Sequence, residues 1–263
     1  MSTIDFVEEF GPRALVTGAS SGIGASFARE LARAKLDLTL VARRADRLHA
    51  LADELTGAHG VQVEVIQADL ADAAAPARLL QATENADIGL VVSNAGFGFN
   101  GAHERMDPEG LTELLMVNCH APLQLTRGFI PRLRARRRGG IVLTASVEGL
   151  LGGPYSAAYA ASKAFVISLG EGLWGELTPD GIKVVTLCPG ATDTEAMAKQ
   201  GIDPKKIEKL KSPDEVAALT IANLGNGPTF FSDERYKQKY DVLLEKPRRE
   251  ALSMMAQAMK SLP

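Results

Sequence analysis

Short aliphatic and β-branched runs alternate along this chain with longer stretches in which apolar residues recur at helical spacing, the two periods that separate strands from amphipathic helices. Ala14-Leu15-Val16-Thr17 reads as a first strand, Ile23 to Ala34 as a helix and Leu36 to Val41 as a second strand. Arg44 to Leu55 carries helical spacing, Val61, Val63 and Val65 alternate as a strand, and an Ala-rich helix is expected from about Asp72. Ile88 to Val92 and Ile141 to Thr144 are further strands, separated by two helical stretches across Pro108 to Arg138. Ser156 to Leu177 reads as a long helix and Ile182 to Leu187 as a sixth strand. Strands separated by helices of about 10–15 residues imply parallel βαβ units with right-handed crossovers. The expected fold class is therefore α/β, a single-domain doubly wound parallel sheet with helices on both faces.

Beyond Gly190 the rhythm weakens. Residues 191–211 are polar and irregular, Ser212-Pro213-Asp214 has the form of a helix start, and Pro228 to Phe231 is expected as a short last strand. Pro247 to Leu262 is a Met-rich amphipathic helix, whose apolar stripe is expected to pack on the core or on another subunit rather than on a membrane surface. No repeat or low-complexity linker interrupts the pattern, so residues 1–263 are expected to form one unit.

Composition narrows the possibilities. The 263 residues are 46% hydrophobic and 23% charged, enough for one sizeable core without disulfide or metal staples. A net charge of −3 gives no overall positive field to draw the chain onto nucleic acid. The run Arg132, Arg134, Arg136, Arg137, Arg138 before Gly139-Gly140 reads as a helix C-terminus favoured by its dipole. Cys119 and Cys188 lie far apart with no metal-ligand spacing, and His49, His59, His103 and His120 are scattered; no metal is expected, and the setting expected is reducing and cytoplasmic. MSTIDFVEEFG has acids where a signal peptide carries Lys or Arg, and no apolar run approaches the roughly 18 residues of a membrane span.

Chemistry enters at the first strand-to-helix junction, Thr17-Gly18-Ala19-Ser20-Ser21-Gly22-Ile23-Gly24. Glycines there let the backbone approach a pyrophosphate, whose charge faces the unpaired N–H groups of the helix. A tight turn packed on the sheet would also use glycines, but their place between the first strand and first helix of a βαβ unit points to a dinucleotide. Sites that read an unmodified ribose place Asp or Glu at the end of the second strand. Here that strand ends Val41-Ala42-Arg43-Arg44. A guanidinium fork suits a phosphate that a carboxylate would repel, so NADP is expected over NAD, with Arg43 as main contact and Arg44 and Ser20 as auxiliaries.

Of the four tyrosines only Tyr159 is followed four positions later by a lysine, Lys163, which puts both on one helix face. A phenol has an ordinary pKa near 10, so a proton shuttle working near neutrality has to be lowered by roughly 2–3 pH units. A cation within about 4–6 Å supplies roughly 1–3 of these, and an oxidised nicotinamide nearby would add to the effect. Ser146 stands at the C-terminal end of the fifth strand, the edge where open α/β sheets bind ligands. Asn94-Ala95-Gly96, Asn118 and Pro189-Gly190 fall where they reach the same edge.

Together, Thr17-Gly18-(x)3-Gly22-x-Gly24, Asp69, Asn94-Ala95-Gly96, Asn118, Ser146, Tyr159-(x)3-Lys163 and Pro189-Gly190-x-Thr192 resemble the short-chain dehydrogenase/reductase family, in its order, over roughly residues 13 to 195. The resemblance implies a Rossmann fold and a catalytic tetrad of Asn118, Ser146, Tyr159 and Lys163. It implies cofactor contacts at Gly18, Ser20, Ser21, Gly22, Ile23, Gly24, Arg43, Arg44, Asp69, Leu70, Asn94, Ala95, Gly96, Tyr159, Lys163, Pro189, Gly190 and Thr192. Asp69 is then near the adenine, Thr192 near the nicotinamide amide, Lys163 on the nicotinamide ribose, and Asn118 beside a water that relays protons to Lys163.

The expected activity is NADP(H)-dependent interconversion of a ketone and a secondary alcohol, Tyr159 moving the proton and Ser146 holding the oxygen. Ser146, Glu148, Tyr155, Tyr159 and Met197, with Phe97 and Phe99 after Asn-Ala-Gly, are expected to border the substrate, 191–211 supplying the variable substrate-binding segment. Most residues bordering the carbonyl are apolar, favouring a hydrophobic ketone such as a steroid, a fatty 3-oxoacyl or an aryl ketone; Glu148 reads as a solvated loop acid rather than a substrate contact. The family commonly packs dimers and tetramers, so a homodimer or homotetramer through Pro108 to Arg138 and Ser156 to Leu177 is expected. Gly170, Gly172 and Gly175 would serve either such an approach or helix-to-sheet packing. Competing readings are an NAD-linked alcohol dehydrogenase working oxidatively, against which Arg43 stands, and a non-catalytic NADP-binding sensor, which has no need of the proton-transfer groups.

Overall fold

Leu90, Val91 and Val92 are fully buried, as a strand covered on both faces requires, and they lie at the centre of one parallel sheet. The computed structural model describes residues 6–199, 207 and 209–260. Its strands are β1 (Arg13–Thr17), β2 (Asp37–Ala42), β3 (Val63–Gln67), β4 (Ile88–Ser93), β5 (Gly140–Thr144), β6 (Lys183–Cys188) and β7 (Thr229–Phe231). They pair in the order β3-β2-β1-β4-β5-β6-β7, every neighbour parallel. The order reverses between β1 and β4, so their carboxyl ends splay into a crevice, the place where open α/β sheets take ligands.

Helices cover both faces. They are α1 (Phe6–Phe10), α2 (Gly22–Arg33), α3 (Ala45–His59), α4 (Ala75–Ala82), α5 (Pro108–Leu115) and α6 (Ala121–Arg136). After these come α7 (Ala157–Leu177), α8 (Glu195–Lys199), α9 (Pro213–Ala222), α10 (Glu234–Glu245) and α11 (Arg248–Lys260). Alternate strand residues feed opposite cores, as the pleat dictates. Ala14, Val16, Leu38 and Leu40 pack with Phe27 and Leu31 of α2, Leu51 of α3 and Val216 of α9. Leu15, Val41 and Val91 face the other way, onto Leu79 of α4 and Leu125 and Phe129 of α6. Ile141, Leu143 and Val184 meet Val166 and Leu173 of α7 on that same side.

The predicted doubly wound sheet is present, with differences at particular elements. Val61 lies outside β3, an edge strand whose residues are only partly covered. The two expected helical stretches are joined by a π-helical turn, Met116–His120, which carries Asn118 into the interior. Within the arginine run Arg137 takes the left-handed conformation as the α6 cap, and Arg132, Arg134 and Arg136 are tied locally. Arg132 donates to the Leu80 and Thr83 carbonyls, Arg134 pairs with Asp180, and Arg136 pairs with Asp87. Segment 191–211 contains α8, which its polarity conceals. The helix α10 has no counterpart in the sequence reading, although Asp233 caps it by accepting from Arg235 N at 3.0 Å and Tyr236, Tyr240 and Leu243 recur at helical spacing. Among the described residues no helix is long and apolar enough to cross a membrane. The predicted end of α11 at Leu262 falls outside the described residues.

Gly170 resolves the ambiguity over the α7 glycines. A β-carbon there would stand 1.8 Å from Thr186 Oγ1 of β6, whereas at Gly172 it would meet nothing within 4 Å. Helix-to-sheet packing therefore explains Gly170. Gly170→Ala is expected to destabilise by about 2–3 kcal/mol through overpacking. Gly172→Ala is expected to stabilise by about 0.5–1 kcal/mol, because alanine loses less backbone entropy in a helix. Chemical denaturation of the two variants checks both signs.

Candidate active site

The glycine-rich turn has the conformation that only glycine adopts readily at two places. Gly18 has φ +69° and Gly22 has φ +55°, and a β-carbon on Gly18 would sit 2.9 Å from the Ala95 backbone. Gly24 serves packing instead. It does not line the cavity, and a β-carbon there would strike the Gly18 carbonyl at 2.3 Å, so its bareness lets α2 lie against β1. The carboxyl ends of three strands are laced through Asn94. Its Nδ2 donates to the Thr17 carbonyl at 3.2 Å, its backbone N–H to Thr17 Oγ1 at 3.0 Å, and its Oδ1 accepts from Thr144 Oγ1 at 3.2 Å.

The two arginines after β2 part company. Arg44 lies on the turn itself, donating from Nε and Nη2 to Ser20 Oγ and from Nη2 to Ser21 Oγ at 2.6 Å. Arg43 points toward Asp69, with Nη1 to Oδ2 at 3.8 Å, and is mostly exposed. Sequence pattern ranks Arg43 first; the geometry puts Arg44 nearest the turn.

Farther along the crevice, Ser146 at the end of β5 hydrogen-bonds the Tyr159 phenol and accepts from Glu148 N at 3.2 Å. Lys163, one turn beyond Tyr159 on α7, is buried, lies 5.7 Å from the Tyr159 ring centroid and donates to the Thr144 carbonyl at 2.9 Å. Asn118 accepts from Phe97 N at 3.1 Å and donates to the Phe97 carbonyl and Ser162 Oγ, so it clamps the loop after β4 onto α7. A β-carbon on Gly96 would meet Lys163 Nζ at 3.0 Å and Asn118 Oδ1 at 3.2 Å, so the backbone passes close over both.

Electrostatics here corrects two expectations. Burial, and then the nearby Glu148 carboxylate, push the Tyr159 phenol up rather than down, outweighing its hydrogen bond with Ser146. Burial likewise brings Lys163 down to about 8, so its ammonium is held only weakly beside the ring. Glu148 is not a solvated loop acid. Its Oε2 accepts from Ser156 Oγ at 2.8 Å, and burial raises its carboxyl above the usual carboxylate range.

Of the residues named so far, Thr17, Gly24, Asn118 and Ser162 lie behind the lining, whereas Gly18, Ser20, Ser21, Gly22, Arg43, Arg44, Asp69, Asn94, Ser146, Glu148, Tyr159 and Lys163 border one cavity of about 1580 Å³. That exceeds the roughly 300–1,000 Å³ of an ordinary ligand pocket, as a dinucleotide together with a second molecule requires. Leu70, Ile23, Ala95, Pro189, Gly190 and Thr192 line it, as do Tyr155 and Met197. Phe97 lines it and stacks edge-on with Phe99, which packs against Gly110 outside it. Sequence reasoning missed Tyr236, Lys239, Tyr240 and Leu243 of α10. It also gave α11 a packing role alone, whereas Met254, Met255 and Met259 form a cavity wall while Ala251 joins the core. The glycine cradle, the open helix N-terminus and the Arg44 and Arg43 donors fit a phosphate-bearing dinucleotide. Among the described residues no cluster of His, Cys, Asp and Glu is assembled as a metal site.

Comparison with known proteins agrees with this geometry. The family model for short chain dehydrogenase matches residues 12–205. The chain is 30% identical over 237 residues to a 7beta-hydroxysteroid dehydrogenase of Clostridium sardiniense, covering 90% of this chain and 91% of that protein. It is 36% identical over 235 residues to a very-long-chain 3-oxoacyl-CoA reductase of Aspergillus clavatus, covering 85% of this chain and 67% of that one. Among solved structures, a short-chain dehydrogenase from Sphingobium yanoikuyae in complex with NADPH superposes with a TM-score of 0.82 at 34% identity, over 96% of each chain.

The buried ammonium has a consequence for stability. Lys163 falls from its ordinary 10.5 to about 8 in the fold, so carrying the charge at neutral pH costs about 3 kcal/mol. The unfolded chain binds the proton more tightly, so stability rises as pH climbs from about 8 through 10.5. Lys163→Met is expected to stabilise the fold by about 1–2 kcal/mol at pH 7, the gain being less than the full penalty because the Thr144 carbonyl loses its donor. Urea unfolding at pH 7 and pH 10 checks that the gain shrinks at the higher pH.

Proposed function

We propose that this chain, which belongs to the short chain dehydrogenase family, reduces a bulky hydrophobic ketone to a secondary alcohol using NADPH. The observation that carries the reading is the meeting of Ser146, Tyr159 and Lys163 in the same crevice as the glycine-rich turn and Arg44. Gly18, Ser20, Ser21, Gly22, Ile23, Arg44 and Arg43 would hold the adenosine and phosphate end. Asp69, Leu70, Asn94, Ala95 and Gly96 would frame it, and Lys163, Pro189, Gly190 and Thr192 would hold the nicotinamide end. Gly24 contributes by keeping α2 against β1. Bound there, the cofactor supplies the hydride that the carbonyl carbon receives.

The chain's own residues manage the oxygen. Tyr159 gives its phenolic proton to the carbonyl oxygen, and Ser146 hydrogen-bonds that oxygen while its charge changes. Lys163 brings a positive charge behind the phenol, which steadies the phenolate left after transfer. Asn118 keeps Gly96 and α7 in register around that ammonium. A phenol pushed upward by burial stays protonated at neutral pH, so the proton it would give to the carbonyl oxygen is in place. The NAD-linked oxidative reading needs the phenolate as base and an acid at the end of β2, and the chain has Arg43 there.

The substrate end is walled by Met197, Val242, Leu243, Met254, Met255 and Met259, with Tyr155, Glu148 and, from α10, Tyr236, Gln238, Lys239 and Tyr240 as polar points. Relatives named for hydroxysteroid and very-long-chain oxoacyl substrates support an apolar body of comparable bulk. Residues 191–197 and the cavity-facing methionines of α11 would frame this end, within one unit of the kind expected for residues 1–263. Exposed Leu115, Leu123 and Phe165 on α5, α6 and α7 support a homodimer or homotetramer through those helices. The two free cysteines support a reducing, cytoplasmic setting.

The test is NADPH oxidation against a panel of steroid, 3-oxoacyl and aryl ketones, with NADH in parallel. Preference for NADPH and turnover of bulky apolar ketones are expected; turnover of no carbonyl or alcohol would leave a non-catalytic nucleotide binder. Tyr159→Phe is expected to lower kcat/KM by about 100- to 10,000-fold while NADPH binding stays largely intact. In Glu148→Gln the negative charge beside Tyr159 is gone, which lowers the phenol pKa. The pH dependence of alcohol oxidation is then expected to move to lower pH, as read from initial rates between pH 6 and about 10.

A further inference from the structure

The guanidinium of Arg44 is already in use. Besides its bonds to Ser20 and Ser21, Nη1 pairs with Glu195 Oε2 at 2.9 Å, and Arg47, on the first turn of α3, pairs with Glu195 Oε1 at 2.5 Å. Glu195 opens α8, 151 positions along the chain from Arg44. The preceding residue lies over the glycine-rich turn itself: a β-carbon on Gly22 would sit 3.1 Å from Thr194 Cγ2. The base of this segment is firmly held, since Thr192 is buried and Asp193 N donates to the Lys211 carbonyl at 2.9 Å. Two residues beyond Glu195, Met197 is buried in the wall of the substrate end. The two guanidiniums hold the Glu195 carboxyl down to about 2, so it is an anion at every working pH.

A carboxylate and a phosphate compete for such a fork. Each presents a pair of oxygens that a guanidinium binds bidentately, and two anions within a few ångströms of each other repel. The 2′-phosphate of NADP, bound on Arg44 beside Ser20, would lie next to the Glu195 carboxylate. NAD, with a bare hydroxyl there, makes no such demand. We infer that Glu195 is an internal stand-in for the 2′-phosphate: phosphate binding takes Arg44 from it, loosens the hold of α8 on the glycine-rich turn and shifts Met197 in the substrate wall. Glu195 is thus a specificity-determining residue that weakens binding of the phosphorylated cofactor and couples its arrival to the shape of the substrate end. The inference rests on the proposed NADP reading of the Arg44 site.

The test uses adenosine 2′,5′-bisphosphate and 5′-AMP as probes of the full chain, by calorimetry and by hydrogen exchange over residues 192–199. In the wild-type protein the bisphosphate is expected to bind more tightly than 5′-AMP and to raise exchange at 194–199, whereas 5′-AMP leaves exchange unchanged. Glu195→Gln is expected to tighten the bisphosphate about three- to tenfold, the worth of one or two exposed ion pairs, with no change for 5′-AMP. The same variant is expected to exchange rapidly at 194–199 without any ligand. If the wild-type protein prefers the bisphosphate but Glu195→Gln leaves its affinity unchanged or weakens it, the stand-in role is overturned alone. If the wild-type protein shows no preference for the bisphosphate, the 2′-phosphate reading of Arg44 falls first and takes this one with it.

Discussion

Asn94 bridges the carboxyl ends of β1, β4 and β5 by donating to the Thr17 carbonyl and accepting from Thr144 Oγ1, and the crevice depends on that bridge. A parallel sheet whose order reverses between β1 and β4 splays at that point, and helices leave its strands in opposite directions. The lacing keeps the splay at a fixed width. Thr144 in turn offers its carbonyl to Lys163, so the same strand ends that shape the nucleotide cradle also seat the ammonium. One short side chain thereby links the strand that carries the glycine-rich turn to the strand whose carbonyl holds Lys163.

Burial governs the chemistry of the other end. Enclosing Tyr159, Lys163 and Glu148 together moves each toward its neutral form: the phenol up, the ammonium down and the carboxyl up. Desolvation outweighs the mutual attraction of the charges, and the arrangement is held by packing and by hydrogen bonds to Thr144, Ser146 and Ser156. Tyr159 therefore keeps its proton at neutral pH, and the Glu148 carboxylate beside it adds to that effect. Positive charge brought in with a ligand would move the balance, which ties the acid–base state of the tyrosine to occupancy of the crevice.

The cavity is polarised along its length. One end is rich in glycines, serines and arginines; the other combines methionines, leucine and valine of α8, α10 and α11 with the tyrosines, Gln238 and Lys239 of α10. Methionine adapts its shape to what it contacts, so a wall containing Met197, Met254, Met255 and Met259 tolerates ligands of different outline. Glu195 belongs by position to the apolar end's own segment and by charge to the arginine end, which makes α8 the mechanical link between the two.

Amino-acid order alone determined the doubly wound sheet, the glycine-rich turn and the Tyr159 and Lys163 pair, because each is a pattern within a few consecutive residues. Strand and helix periods, the glycines at a junction and a four-residue helical spacing are local properties of the chain. Tertiary structure decided what depends on partners far away in sequence. Arg44 rather than Arg43 lies on the turn because Ser20 and Glu195 converge on it. Glu148 is enclosed rather than solvated because α7 and α10 close around it, and α11 became a cavity wall because the cavity reaches it. The direction in which Tyr159 titrates was legible in no motif, since desolvation is the sum of everything packed around a group and only the folded chain supplies that sum.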